Sequence, residues 1–231
     1  MSNPTPKVRS PVAGFTVLEL GVTVVAVILV GMVALARLRE MRQGAERNPL
    51  QCQENLRFIA LALQDFSNDH ADRFPWEVSQ HEGGSLEAIP SGQAAPHFRA
   101  LTNTIRNTRT LLCPMDSMRY RGATLTSLDD SAISYFVNIS ARRGSKNTVL
   151  AGDRTISTTE DNTTGEIGVS SKSPLQWTRP APDENGHQEI RTGETTGNLI
   201  LNNGSLMETT SFQLQRVIRA LGTNTHRFIL P

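Results

Sequence analysis

The chain has 231 residues, with 23 basic against 22 acidic, a net charge of +1 and 5% aromatic residues. That balance supplies no global field to draw nucleic acid or an anionic surface, and the length fits one medium domain or a membrane segment plus one domain. No internal repeat of solenoid or propeller length is present, which excludes a repeat array.

The first fourteen residues, MSNPTPKVRSPVAG, hold three prolines, Lys7 and Arg9 and no acid, a poor helix and a basic leader. Phe15 to Ala36 follows as an almost wholly apolar run of 22 residues, long enough to span a bilayer at 1.5 Å rise per residue. Glu19 interrupts it near the front, and a carboxylate at the centre of such a segment costs roughly 2.5–3.5 kcal/mol. An ordinary secretory signal would use Ala34-Leu35-Ala36 as a cleavage site, but its apolar stretch is normally 7–15 residues and carries no acid. An uncleaved anchor explains the length and leaves Glu19 without a partner.

A third reading explains both features. The stretch GFTVLEL resembles the leader junction of type IV prepilins and type II secretion pseudopilins. The resemblance implies that a prepilin peptidase cuts between Gly14 and Phe15 and methylates the new amine of Phe15. Glu19 becomes the fifth mature residue, and its carboxylate meets the Phe15 amine of another subunit, which sets the assembly register. The positive-inside count opposes this: Arg37, Arg39, Arg42 and Arg47 follow the run, against Lys7 and Arg9 before it, and favour a cytosolic C-terminal side. The resemblance implies the reverse, an exported C-terminal region.

Beyond Ala36 the pattern turns amphipathic, and Gly44 and Asn48-Pro49 should interrupt it. Asn48 as N-cap, Pro49 at the first helical position and Gln51 completing a capping box predict a fresh helix start. Cys52, Leu56, Ile59, Leu63 and Phe66 then mark one face of a helix reaching about His70, which should lie on a sheet. Cys52 and Cys113 are the two cysteines. They either form one disulfide, if this part is exported, or remain two buried thiols.

CQENLRFIALALQDFSNDHADRFP, from Cys52, resembles a stretch of the pseudopilin-like proteins of planctomycetes and verrucomicrobia. Further matches follow in HFRALTN, LLCPMDS, SYFVNIS, NTVLAGDRTI and GNLILNNGSLMETTSFQLQRVI. The resemblance departs at the last hairpin, where the family's Asp-Gly is Asn203-Gly204.

Those segments also read independently. Ile133–Ile139 and Thr148–Ala151 are apolar, β-branched runs bounded by turn residues. Asn198–Leu201 and Leu206–Thr209 flank Asn203-Gly204 as a hairpin with a type I′ turn. Thr210 and Gln213 form a second capping box for a short helix with Leu214, Val217, Ile218 and Leu221 on one face and Gly222 as its stop. Ser157 to Gly197 is polar and reads as a long surface excursion anchored by Trp177.

No active site emerges. The five histidines, His70, His81, His97, His187 and His226, fall in no zinc spacing, and there is neither a nucleophile elbow nor a P-loop. Asp153, Glu160 and Asp161 lack EF-hand spacing for calcium.

The fold expected is α+β and pilin-like: a long N-terminal helix, half in the membrane, packed on an antiparallel sheet, with a short C-terminal helix. Residues 1–14 are the leader, 15–36 the membrane and assembly segment, 37–70 an amphipathic helix continuing into the domain, and 71–231 an exported β-rich region. The expected function is a pseudopilin-like structural subunit of a type II secretion or type IV pilus-like filament, with Gly21 and Gly31 easing helix packing. Its partners would be prepilin peptidase, sister subunits, the secretion assembly platform and the bacterial inner membrane, crossed once with the C-terminal domain periplasmic. No enzyme activity, cofactor, metal or nucleic acid is expected. The alternatives are a membrane-tethered exported module that binds a glycan or protein through Glu77–Pro96 and Ser157–Gly197, and, behind it, an exported metal-dependent hydrolase.

Overall fold

The computed structural model describes residues 17–46, 49–116, 119, 124–145, 147–158, 164–178, 195–220 and 225–231, with the side chains of 17–19, 36–46 and 49 outside that description. The chain divides into two compact units, Met1–Glu46 and Arg47–Pro231.

The first unit contains helix α1, Val17–Glu46. Helix α2, Pro49–Asp69, opens the second. Within 37–70 the described residues form the end of α1 and the whole of α2, on either side of residues 47–48. Pro49 has no N–H to continue a helix and biases the residue before it toward extended backbone. The expected Asn48 cap lies outside the described residues. Gln51, cast as its capping-box partner, donates instead to Asn55 Oδ1 one turn on, at 3.2 Å.

In α2, Cys52, Leu56, Ile59, Leu63 and Phe66 are all buried, as their spacing predicts. The helix ends through a left-handed turn at Ala71 and Asp72, φ 55° and 60°. The Asp72 N–H reaches back to Ser67 O at 2.9 Å, so a Schellman-type closure forms without glycine.

From there to Ile133 the described chain has no strand. It runs through 3-10 turns at Pro75–Glu77, Gln80–Glu82, Leu86–Ser91, Thr108–Leu111 and Asp130–Ala132, and a short helix α3, Ala95–Arg99. Within the expected β-rich region 71–231, the described strands start only at Tyr135, after this strand-free stretch. Phe74, Trp76, Phe98, Leu101 and Ile105 bury themselves from it without strand pairing, and Trp76 Nε1 donates to Ala141 O at 3.1 Å.

The remaining chain builds the sheet. Strands β1 (Tyr135–Asn138), β2 (Val149–Asp153), β4 (Gly165–Val169), β6 (Thr196–Leu201), β7 (Leu206–Thr210) and β8 (His226–Leu230) form one six-stranded sheet in the order β4-β8-β1-β2-β6-β7. Every neighbouring pair is antiparallel. Strands β3 (Ile156–Ser157) and β5 (Gln176–Trp177) pair separately. The molecule is thus α+β with an antiparallel sheet.

Side chains alternate across a strand, and here both faces are covered. Tyr135, Val137, Ile200 and Ile229 join α2 in one core. Phe136, Leu199, Leu201, Phe228 and Leu230 face a second core with Ile156, Trp177 and two residues of helix α4 (Ser211–Ala220), Leu214 and Ile218. That double burial explains why β1, β2 and β6 are buried at every position while the edge strands β4 and β7 are not.

Three further expectations change. Ser157–Gly197 is not only a surface excursion, because it supplies edge strand β4 as well as β5, and Trp177 anchors it at 4% exposure. Helix α4 carries the expected capping box, with Thr210 N–H to Gln213 Oε1 at 3.0 Å and Gln213 N–H to Thr210 Oγ1 at 3.4 Å. It does not close the fold, since β8 follows and inserts between β4 and β1. Leu221 and Gly222 lie outside the described residues. The hairpin turn is not type I′: Asn203 keeps a negative φ, and Gly204 alone is left-handed at 83°. Gly204 N–H donates to Leu201 O and Leu201 N–H to Ser205 O, each at 2.9 Å, a three-residue loop closed by a glycine bulge.

Candidate functional site

Of the residues expected to carry processing and assembly, Gly14 and Phe15 lie outside the described residues. Glu19 sits in the first turn of α1 with its side chain outside them. From Leu20 to Leu35, sixteen residues, every side chain is exposed. Leu20, Val22, Val24, Val25, Val27, Ile28, Leu29, Val30, Met32, Val33 and Leu35 are each 51–71% exposed. The apolar residues surround the helix rather than forming a stripe, and Thr23 returns its hydroxyl to Leu20 O at 2.8 Å. A helix apolar on all sides is stable only when something else covers it. Among the described residues no helix is long and apolar enough to cross a membrane.

In the second unit the polar chemistry gathers beside the disulfide. Cys52 and Cys113 are bonded, Cα to Cα 4.9 Å across a separation of 61 residues, which ties α2 to the loop before β1. Three residues on, Asp116 grips Arg154 with both oxygens, Oδ2 to Nε 2.7 Å and Oδ1 to Nη2 2.8 Å. Arg119 Nε stands 3.6 Å from the same carboxylate. Its other nitrogens donate to Asp130 O at 2.7 Å and Pro231 O at 2.9 Å. Burial, with repulsion from Arg154, lowers Arg119 to about 10, and Asp116 and Asp130 hold it against a larger fall. Burial also raises the Asp130 carboxyl, against N–H groups of Ala95 and Ala94 that it accepts. Asp153, at the end of β2, accepts from Asn198 N at 2.7 Å and Asn198 Nδ2 at 2.9 Å.

A small recess, about 20 Å3, lies among Cys113, Met115, Asp116, Ser134, Asp153 and Arg154. Among the described residues Ser134 Oγ has no hydrogen-bond partner, and the Asp116 oxygens are both committed to Arg154. The cluster neutralises buried charge and joins the loops to the sheet; it presents no nucleophile and base.

Among the described residues, a serine–histidine hydrogen bond occurs elsewhere. Ser85 Oγ lies 2.8 Å from His97 Nδ1, both buried, with the His97 ring edge-on to Trp76. Burial drops His97 to about 4, too weak a base for work near neutrality, and no carboxylate orients it. The pair is a core hydrogen bond. His70, half-buried, stacks on Phe66 at 3.8 Å between centroids, with its ring nitrogens 2.7 Å from Phe66 O and 3.1 Å from Glu82 O. Among the described residues no three His, Cys, Asp or Glu side chains cluster to hold a metal. Glu160 and Asp161 lie outside the described residues.

Sequence reasoning missed the Asp116–Arg154–Arg119 cluster. Its members come from a loop after Cys113 and the end of β2, and only the folded register brings them together. Comparisons with family models, curated proteins and solved structures returned no match.

Proposed function

We propose that this chain is a pseudopilin-like structural subunit, cut after Gly14, methylated at Phe15 and assembled through its N-terminal helix into a filament of the secretion or type IV pilus kind. The observation that carries the reading is the all-round apolar surface of α1 from Leu20 to Leu35, one residue after Glu19 in a junction of prepilin pattern. Lipid covers that surface in the stored subunit and sister helices cover it in the assembly. The Glu19 carboxylate then has a partner in the Phe15 amine of a neighbour, which offsets the cost of an acid in hydrocarbon.

The second unit supports the same reading. A disulfide between α2 and the loop before β1 persists in an oxidising compartment, which fits export of this part. A helix laid on an antiparallel sheet, pinned by charge pairs rather than built around a pocket, suits a part whose work is mechanical. Prepilin peptidase, sister subunits, the assembly platform and the inner membrane are the partners this implies.

The test is a pair of substitutions in the full chain. Gly14→Val should leave uncut precursor in the membrane, and Glu19→Ala should be cut normally yet fail to assemble. Normal assembly by Glu19→Ala removes the register argument, and normal cutting of Gly14→Val removes the peptidase.

A further inference from the structure

We propose that the outward faces of α2 and α4 are the two halves of one contact between neighbouring copies of this chain. The proposal rests on the filament reading for what holds the copies side by side, and adds the surface through which their domains meet.

Within the second unit, the exposed large apolar side chains among the described residues are Leu50, Phe58, Leu61, Leu86 and Phe212. Two of them, Phe58 and Leu61, share the outer face of α2 with Asp65 and Asp69, all exposed. At about 100° per residue these four fall within roughly 80° of one another. On α4, Phe212 is 74% exposed and shares its face with exposed Arg216 and Arg219, the three within roughly 60°. Asp65, Asp69, Arg216 and Arg219 make no ion pair or side-chain hydrogen bond among the described residues.

The two faces match in chemistry and in spacing. Arg216 and Arg219 lie four and seven residues beyond Phe212, about 6 and 10 Å along the helix. Asp65 lies four residues beyond Leu61 and seven beyond Phe58, with Asp69 one turn further. Phe212 seated between Phe58 and Leu61 therefore brings both guanidiniums to the two carboxylates. The opposite direction offers less: there the same face carries Glu54 alone, with exposed Arg57 about 60° to its side, so one carboxylate rather than two would meet the arginines. Arg143, near the far end, is already engaged by Ser67 and Asn68 and lies 3.7 Å from Asp72.

The fold decides who the partner is. Helix α2 belongs to the core on one face of the sheet and α4 to the core on the other, so a single copy cannot bring the two together. A second copy can, and the contact joins unlike surfaces, leaving each copy with one free half on either side. Such head-to-tail contacts propagate into rings or filaments rather than closing as pairs. One helix face against another is a small interface. It suffices between copies already concentrated by a shared N-terminal assembly.

The experiment places a photoreactive phenylalanine analogue at position 212 of the full chain in native membranes, with isotopically light and heavy copies mixed. Crosslinks are mapped by mass, and the N-terminal residue is read on the same sample. The expected product joins position 212 of one copy to the α2 peptide of another. Arg216→Glu with Arg219→Glu should lower its yield at least about fivefold, and adding Asp65→Lys with Asp69→Lys should restore it. Crosslinks that map elsewhere, to the same copy or to lipid, or a yield indifferent to charge reversal, overturn the proposal. A chain that begins at Phe15 without this crosslink loses the interface and keeps the filament reading. A chain that begins at Met1 with the crosslink keeps the interface and loses the filament reading.

Discussion

Helices α1 and α2 stand next to each other in sequence and solve the burial of apolar side chains in opposite ways. In α2 the apolar positions recur on one face, and Leu56, Ile59 and Leu63 are fully buried against the sheet. In α1 they occur on every side, and those described are at least half exposed. A stripe is covered by one sheet; a whole cylinder needs neighbours on every side. The first pattern specifies a domain, and the second calls for cover on every side of the helix.

If that contrast is right, substitutions in the self-covered region move melting, and substitutions in α1 leave it alone. The largest effect should come from Asp116→Ala, which strands Arg154 and Arg119 in the interior without their anion. A loss of about 3–5 kcal/mol in denaturant unfolding is expected. Reduction of Cys52–Cys113, or Cys52→Ser, should cost about 4 kcal/mol for a loop of 61 residues, seen as a lower melting temperature in reductant.

Acid should act next. His97 is neutral in the fold with its pKa dropped from 6.5 to about 4, so between those values the unfolded chain binds the extra proton. Stability is full above about pH 6.5 and falls by on the order of 3 kcal/mol by pH 4. Burial lowers His226 as well, with the same sign. Melting followed from pH 7 to 4 should be shallower in His97→Gln; equal slopes in both proteins would remove His97 as the cause.

Gly197→Ala tests the second core. A Cβ there would lie 2.5 Å from the Trp177 ring, and a cost of about 1–3 kcal/mol is expected. The smallest effect sharpens the contrast most: Ile28→Ser, in α1, should shift the melting of the second unit by less than about 0.5 kcal/mol. A loss comparable to a core truncation would mean that α1 is part of the domain's own fold.

What was legible in the sequence follows the same division. The periodicity of Cys52 through Phe66, the β-branched runs and the Thr210–Gln213 box all act within a few residues, so α2, β1, β2, β6, β7 and α4 could be read directly. Strand β8 could not. His226–Leu230 follows a helix whose own stop signal looked final, and its place between β4 and β1 depends on pairings to residues 60 and 90 positions away. The 3-10 turns between Pro75 and Ala132 follow no periodic pattern, and glycine, serine and asparagine mark irregular turns as readily as hairpins. The turn at Asn203-Gly204 suits two loop types, and the bulged one won because only Gly204 had to turn left-handed. The charge cluster beside the disulfide was invisible for the reason β8 was: its partners meet only after the sheet has set their register.

The account's central claim is that α1 is an assembly segment released by cutting after Gly14. The most direct test is the N-terminal residue and mass of the protein recovered from native membranes. A chain beginning at N-methylated Phe15 is the expected result. A chain beginning at Met1, Ser2 or Arg37 would contradict it: the first two mean a permanent anchor, and the last means an ordinary cleaved signal.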